Sequence, residues 1–210
     1  MKTELVESGP TTAERTIVIA HGAGAGLDTP FLVRFAEGLG DRGLRVVRFE
    51  FPYMAKRRED GKRRGPDRAP VLLECWRGVC AALRDRPNLL IGGKSMGGRM
   101  ASMVADEVGA AGLVCFGYPF HPPGKPEKTR TEHLVDLKTR TLILQGTRDP
   151  FGTPEDVDGY DLSAAIRVQW LEDGDHGFKP RKASGRTEEQ NWVEAMDAVA
   201  TFAEGKKNGI

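Results

Sequence analysis

The sequence has few of the features that mark secreted, membrane or nucleic-acid-binding proteins. No apolar run approaches the roughly 18 residues that a helical membrane span requires. Residues 1–16 contain no apolar signal-peptide core, and the three cysteines, an odd number, cannot all pair with one another. The net charge of +1 provides no general attraction for nucleic acid. We therefore expect a cytoplasmic protein with reduced thiols that binds neither membranes nor nucleic acid.

The composition is that of an ordinary globular domain. Hydrophobic residues make up 39% of the chain and charged residues 29%, shares that are typical of folded proteins. A chain of 210 residues is most simply a single domain. We expect one domain over residues 1–210, with an edge strand within residues 1–14 and a frayed tail over 205–210.

Short apolar runs alternate with helical patterns along the chain. Each run stops at a loop that contains glycine or proline, which is typical of buried strands in a parallel sheet with helices on both faces. The predicted strands cover 15–24, 44–52, 88–95, 111–119, 139–150 and 166–177, and the predicted helices cover 29–43, 70–85, 97–109 and 187–205. The sequence therefore predicts an α/β fold with a mostly parallel sheet of six or seven strands. Such sheets bind ligands beyond the carboxyl ends of their strands.

The stretch LLIGGKSMGGRM at residues 89–100 fits one of two competing motifs. A phosphate-binding P-loop requires a glycine five positions before its Gly-Lys pair, and that position is Asn88. The Gly-x-Ser-x-Gly nucleophile elbow matches residues 93–97 completely, between an apolar run and a helical pattern. This stretch therefore predicts Ser95 as a nucleophile at a strand-to-helix turn.

A nucleophilic serine needs a base to accept its proton and a carboxylate to orient that base. On this type of sheet the chain order is serine, then the acid, then histidine. Asp149 and His176 follow the last two apolar runs, so both lie at the predicted carboxyl edge. His121 precedes Asp149, which is the wrong order, and His133 lies in a polar segment typical of a solvated helix. We predict a catalytic triad of Ser95, Asp149 and His176.

The tetrahedral intermediate of such chemistry needs two backbone N–H donors, which form an oxyanion hole. The first is the amide of Met96, directly after the nucleophile. The second comes from the loop AHGAGAG after the first predicted strand, where Ala23 is our candidate and Gly24 stays an alternative. His21 in this loop is expected to be structural. No pattern indicates a metal or organic cofactor.

Three stretches together resemble the small, capless branch of the α/β-hydrolase superfamily that includes testis-expressed protein 30-like and dienelactone-hydrolase-like proteins. They are IGGKSMGGRMAS, GYPFHPPGKPEK and WLEDGDHGF. The run Tyr118–Pro122 is the most specific link, because a generic triad does not require it. The resemblance covers the chain from Ile17 to about Phe202 and implies a compact α/β-hydrolase fold. It also implies that the nucleophile, acid, base and oxyanion donors fall on the residues predicted above, and it implies no particular substrate.

The residues and the resemblance together predict an esterase-like serine hydrolase. The expected substrate is a small molecule with a carboxylic ester or related acyl bond, cleaved through an acyl-enzyme. Thioesterase, peptidase and acyltransferase activities remain open, because a fold does not fix a reaction. A hydrolase-fold interaction protein with little or no catalytic activity is the alternative from another class.

Charged residues surround the predicted site. Two basic stretches, 54–68 and 179–186, follow strands at the carboxyl edge. The first is expected to be a long loop, because two glycines and a proline interrupt it. It is either a solvated mobile loop or a flap that attracts an anionic substrate. Of the cations beside the predicted nucleophile, Lys94 is expected to be solvated. Arg99 is expected to form a structural ion pair, with a substrate contact as the alternative.

Overall fold

A seven-stranded sheet organises the chain. The computed structural model describes residues 3–86 and 88–205. The sheet order is β1-β3-β2-β4-β5-β6-β7, and every neighbouring pair is parallel except β1 with β3. The strands are β1 Leu5–Ser8, β2 Thr16–Ala20, β3 Arg45–Phe49, β4 Leu89–Lys94, β5 Gly112–Phe116, β6 Thr141–Gly146 and β7 Ile166–Leu171. The parallel strands all end at one edge, where the predicted site residues lie.

Helices cover both faces of the sheet. They are α1 Pro30–Gly40, α2 Pro52–Asp60, α3 Ala69–Ala82, α4 Met96–Ser102, α5 Pro154–Asp158 and α6 Glu188–Ala203. Alternate residues of the strands join two cores: Ile17 and Ile19 pack with α1 and α6, whereas Val18 and Ala20 pack with α3 and α4. This two-sided burial explains why the strands read as continuous apolar runs. Within the described ranges, no helix is both long and apolar enough to cross a membrane.

The predicted sheet is confirmed, and two details differ. All six predicted strands are present, and β1 adds the seventh. The helix predicted over 97–109 ends at Ser102 and continues as turns. The predicted loop at 54–68 is wrong in its first part, because α2 extends to Asp60. Of the predicted tail, residues 206–210 lie outside the described part of the chain.

The sequence contains the signals that form α2, although the charges obscure them. Pro52 occupies the first turn, where its missing N–H costs no hydrogen bond. Gly61 adopts the left-handed conformation, with φ 69°, and its N–H caps the helix on the carbonyl of Arg57. Arg57 and Arg58 lie in the last turn, where cations stabilise the helix dipole. Gly61 therefore ends a helix and does not prevent one.

Two glycines offer a matched test of the packing of β4. A Cβ at Gly92, in the middle of β4, would lie 2.0 Å from the carbonyl oxygen of Val114, so Gly92→Ala should lower the free energy of unfolding by about 2 kcal/mol or more. Gly78, exposed on α3, has nothing within 4 Å of such a Cβ. Gly78→Ala should therefore raise it by about 0.5–1 kcal/mol. Urea denaturation of both variants measures this difference, and equal effects would contradict the packing described here.

Candidate active site

Ser95 occupies a strained turn between β4 and α4. Its φ of 53° and ψ of −117° place a non-glycine residue in a sparsely populated region, which is typical of functional sites. Two hydrogen bonds hold the turn: the Ser95 N–H donates to the carbonyl of Phe116 at 3.0 Å, and the Arg99 N–H donates to the carbonyl of Ser95 at 3.0 Å. The serine is thus presented at the carboxyl edge of the sheet, at the start of α4.

The glycines on either side of Ser95 allow the turn to approach β2. A Cβ at Gly97 would lie 2.6 Å from the carbonyl oxygen of His21, and one at Gly93 would lie 2.5 Å from that of Ala20. Real Cβ atoms do not come this close to backbone oxygens, so a larger residue would push the turn away from β2. The spacing of the Gly-x-Ser-x-Gly pattern therefore has a direct steric cause here.

Asp149 and His176 form a hydrogen-bonded pair on the loops after β6 and β7. The distance from His176 Nδ1 to Asp149 Oδ2 is 2.8 Å, and the Asp149 side chain is fully buried. The carboxylate also accepts from the N–H of Phe151 at 2.9 Å and from Nε2 of Gln145 at 3.0 Å. Since an ionised carboxylate can only accept, Nδ1 of His176 carries the proton, and Nε2 remains free to act as a base.

Gly117 brings the histidine and the nucleophile loop together. It directly follows β5 with φ 68°, and a Cβ there would lie 3.1 Å from Cε1 of the His176 ring. The same Cβ would lie 2.9 Å from Nζ of Lys94, the residue before Ser95. Among the described residues, the Ser95 hydroxyl makes no hydrogen bond. Catalytic hydrogen bonds often form fully only when substrate binds.

Lys94 is only partly exposed and its ammonium group contacts the protein, so the prediction of a solvated side chain is wrong. Its Nζ donates to the carbonyl oxygen of His176 at 2.5 Å and lies 5.6 Å from the ring centroid of Phe31. Burial lowers the pKa of Lys94 to about 8, and the charges of Asp149 and Asp175 partly oppose this shift. The side chain of Lys94, the last residue of β4, therefore reaches the loop that carries His176.

The loop after β2 is held by a buried histidine. Nε2 of His21 accepts a hydrogen bond from the Phe51 N–H at 3.1 Å, so Nδ1 is the protonated nitrogen and donates to the carbonyl of Gly22 at 2.7 Å. Burial lowers the pKa of His21 below its ordinary value, which keeps the ring neutral. His21 is thus a structural residue of this loop and does not point a free nitrogen at the site.

Tyr53 holds the same loop from α2. Its hydroxyl donates to the carbonyl oxygen of Ala23 at 2.9 Å, and a Cβ at Gly22 would lie 3.7 Å from Cβ of Ser95. The loop therefore lies directly beside the nucleophile. Neither the Ala23 N–H nor the Met96 N–H donates a hydrogen bond within residues 3–86 and 88–205. Both predicted oxyanion donors are available for a ligand.

A cavity of about 380 Å³ borders this loop on the side of α2. Gly24 and Gly26 form one wall, and Met54 and Arg57 of α2 form another. Glu50 and Asp28 also line it, and both carboxylates pair with Arg58. The positive charge of the charged segment, residues 54–68, is therefore partly neutralised where this segment meets the loop after β2.

The other histidines have structural partners. His121 is buried, and its Nε2 lies 3.3 Å from Asp156 Oδ2. His133 lies in a short 3-10 helix, not in a solvated helix, and its Nε2 lies 2.8 Å from the Ser102 hydroxyl. His176 is thus the histidine that the structure pairs with Asp149, as the chain order predicts.

The aromatic residues near the strand ends are mostly core. Phe51, Tyr53, Phe116, Tyr118 and Phe120 are all fully buried. Phe151 is different, because its ring is only partly buried and lies 4.4 Å from the ring of His176, centroid to centroid. Phe151 is therefore the member of this group that borders the site.

Gln145 is the supporting residue that sequence reasoning missed. It is fully buried at the end of β6, donates to Asp149 Oδ2 and to the carbonyl of Gly152, and accepts from the Tyr118 N–H at 2.7 Å. Its signal is visible in the sequence, where LILQG places one polar residue in an apolar run just before the predicted acid. A buried polar side chain requires partners, and here the partner is the acid.

In the described ranges, no group of three or more His, Cys, Asp or Glu side chains is placed to hold a metal ion.

Comparison with known proteins indicates a family. A sequence model of the alpha/beta hydrolase domain family matches residues 13–204, which is nearly the whole chain.

Solved structures with the same fold come from several organisms. A lidless α/β serine hydrolase from Xanthomonas campestris is 16% identical with a TM-score of 0.71, covering 96% of this chain and 87% of that one. A dienelactone hydrolase from Anabaena variabilis is 21% identical with a TM-score of 0.72, covering 98% and 90%. A monoacylglycerol lipase from Paleococcus ferrophilus is 14% identical with a TM-score of 0.69, covering 98% and 99%. At such identities the likeness concerns the fold alone, and it confirms the predicted fold class.

The environment of Lys94 predicts a pH dependence of stability. Its pKa is about 8 in the folded protein and ordinarily 10.5, so between these values the unfolded chain binds the extra proton. The free energy of unfolding of the wild type should therefore rise with pH relative to Lys94→Met, by at most about 1.4 kcal/mol per pH unit. Urea denaturation of both proteins from pH 7 to pH 10 measures this. Lys62→Met, at an exposed position, is the control, and a pH-independent difference for Lys94→Met would contradict the prediction.

Proposed function

This chain belongs to the alpha/beta hydrolase family, and we propose that it is a serine hydrolase that cleaves a carboxylic ester or related acyl bond. The observation that carries the proposal is the hydrogen bond from His176 to the buried Asp149, on the same sheet edge as the strained Ser95. The loops after four parallel strands supply the nucleophile, acid, base and oxyanion donors. This is the arrangement that nucleophilic acyl transfer requires.

In the proposed reaction, Nε2 of His176 takes the proton of Ser95 as the hydroxyl oxygen attacks the substrate carbonyl carbon. Asp149 holds the imidazole and stabilises the imidazolium that forms. The N–H groups of Met96 and Ala23 donate to the oxyanion. The intermediate collapses when His176 gives its proton to the leaving group, which leaves an acyl-Ser95 ester. A water molecule, deprotonated by His176, then releases the acid and regenerates Ser95.

The substrate class is proposed only as far as the site supports it. The relatives with this fold include a dienelactone hydrolase and a monoacylglycerol lipase, which act on different compounds. We propose a small-molecule acyl substrate, because the candidate triad and oxyanion donors are the groups that acyl transfer uses. The three cysteines are free thiols, which supports a reducing, cytoplasmic location.

The test of this proposal is labelling with a fluorophosphonate probe, read by intact mass. Wild type should gain one adduct, and Ser95→Ala should gain none and lose roughly three or more orders of magnitude in kcat/KM for a short acyl ester. Ser184→Ala, at an exposed serine, is the matched control and should label like wild type. No adduct on folded wild-type protein would reject the hydrolase and favour a hydrolase-fold interaction protein.

The contact of Tyr53 with Ala23 predicts a separate effect on the rate. Tyr53→Phe removes the hydroxyl that positions the proposed oxyanion loop. We expect kcat to fall by about tenfold with little change in KM, because the displaced donor would bind the substrate oxygen strongly only in the transition state. Tyr160→Phe is the matched control, because the Tyr160 hydroxyl is buried without a hydrogen-bond partner. Steady-state kinetics with a neutral ester measures both variants. Equal rates for Tyr53→Phe and wild type would reject Ala23 as an oxyanion donor held by Tyr53.

A further inference from the structure

Two arginines whose charges influence each other have no acidic partner among residues 3–86 and 88–205. Arg99 lies on α4, one turn after Ser95, and Arg130 lies in the segment between β5 and β6. Other arginines, such as Arg34 with Glu189, pair with carboxylates. In the described part of the chain, the side chains of Arg99 and Arg130 form no ion pair and no hydrogen bond. The prediction of a structural ion pair for Arg99 is therefore wrong.

A polar cluster connects the backbones of the two arginines. The Ser102 hydroxyl donates to the carbonyl of Arg99 at 2.7 Å and lies 2.8 Å from Nε2 of His133. The Tyr118 hydroxyl donates to the carbonyl of Arg130 at 2.9 Å and lies 3.5 Å from the same nitrogen. Both cations are therefore carried by backbone that buried side chains hold in place.

This arrangement is unfavourable for the protein by itself. Nε of Arg99 is buried without a hydrogen-bond partner among the described residues, which is unfavourable because the charged group has lost its contact with water. Burial and the charge of Arg99 lower the pKa of Arg130, and the same two causes lower the pKa of His133, which stays neutral. Glu132, the carboxylate beside His133, is exposed and pairs with neither arginine. Among the described residues, the two guanidinium groups therefore have no anionic partner.

An oxyanion of the substrate would supply that charge. Guanidinium groups bind carboxylates with paired, charge-assisted hydrogen bonds. Side chains of a helix lean towards its N-terminus, so the Arg99 side chain extends over the turn that begins at Ser95. One helical turn corresponds to about 5.4 Å, so the anion would lie several bonds from the scissile carbonyl. We propose that Arg99 and Arg130 form a subsite for a carboxylate of the substrate, an inference that rests on the proposed acyl hydrolysis at Ser95.

The charged segment at 54–68 is the competing source of an anion preference. Arg58 pairs with Glu50 and Asp28, and Arg64 pairs with Asp60. Arg57 lines the cavity beside the oxyanion loop and forms no ion pair in the described ranges. Arg57→Gln is therefore the matched control, because it removes one cation of the same chemistry from the other side of the site.

The test compares esters that differ only in one carboxylate. When the carboxylate is on the acyl side, the two esters are 4-methylumbelliferyl hexanoate and the 4-methylumbelliferyl monoester of adipic acid. When it is on the alcohol side, they are hexyl acetate and the acetate ester of ω-hydroxyhexanoic acid. With one charged ester at least, Arg99→Gln and Arg130→Gln should each raise KM by about tenfold or more. For these two variants, KM and kcat with the neutral ester should change less than about twofold. Arg57→Gln should leave the KM for the charged ester unchanged. Arg99→Lys should restore part of the effect.

Each failure has its own signature. Turnover of the neutral esters without any arginine-dependent change for either charged ester would overturn the subsite and leave the hydrolase intact. A KM increase for a charged ester that appears only in Arg57→Gln would also overturn it, in favour of the charged segment. If no ester is cleaved and no fluorophosphonate adduct forms, the proposed function fails. Calorimetric binding of adipate to wild type and to Arg99→Gln then decides the subsite, and equal binding rejects it. If Arg99→Gln does not fold, Arg130→Gln decides each comparison.

Discussion

The close approach of Gly97 to the carbonyl oxygens of Ala20 and His21 is the contact on which the site depends. It places the start of α4 against the end of β2, so the nucleophile and the loop of predicted oxyanion donors share one position. It also leaves Ser95 little choice of conformation, because a relaxed turn would move α4 away from the sheet. The strain at Ser95 is therefore maintained by backbone packing on both sides, which is how strained residues persist in folded proteins.

Buried polar groups fix the remaining geometry of the site. Some of them have all their hydrogen-bond partners, and others do not. His21, Gln145 and Asp149 are fully buried, and each has its hydrogen bonds completed by neighbouring backbone or side chains. Such networks hold side chains in one orientation. Arg99 differs, because its buried Nε has no partner. The completed networks hold the side chains of the predicted acid and its neighbours, whereas Arg99, with its unpartnered Nε, belongs to the subsite that we propose.

Local patterns in the sequence were sufficient to predict the sheet, and they also indicate the candidate triad, which stays a prediction. The strands are visible as apolar runs because helices cover both faces, and Ser95, Asp149 and His176 follow those runs in a fixed order. Side chains whose surroundings come from distant segments were harder to interpret. Lys94 was expected in water because lysine usually is, but its neighbours Phe31 and His176 come from α1 and from the loop after β7. Arg99 was predicted to form an ion pair because arginine commonly pairs with carboxylates. Only the fold shows that no carboxylate within residues 3–86 and 88–205 reaches it.

The hydrogen bond from Lys94 to the backbone of His176 also links two regions of unequal local stability. His176 follows β7, an edge strand, and edge strands usually open at a lower free energy than the centre of a sheet. Lys94 belongs to β4, the central strand, and its Nζ reaches across to the loop of the base. Opening of that loop must break a contact with the central strand. Fraying of β7 that moves His176 away from Ser95 therefore costs the additional free energy of this hydrogen bond.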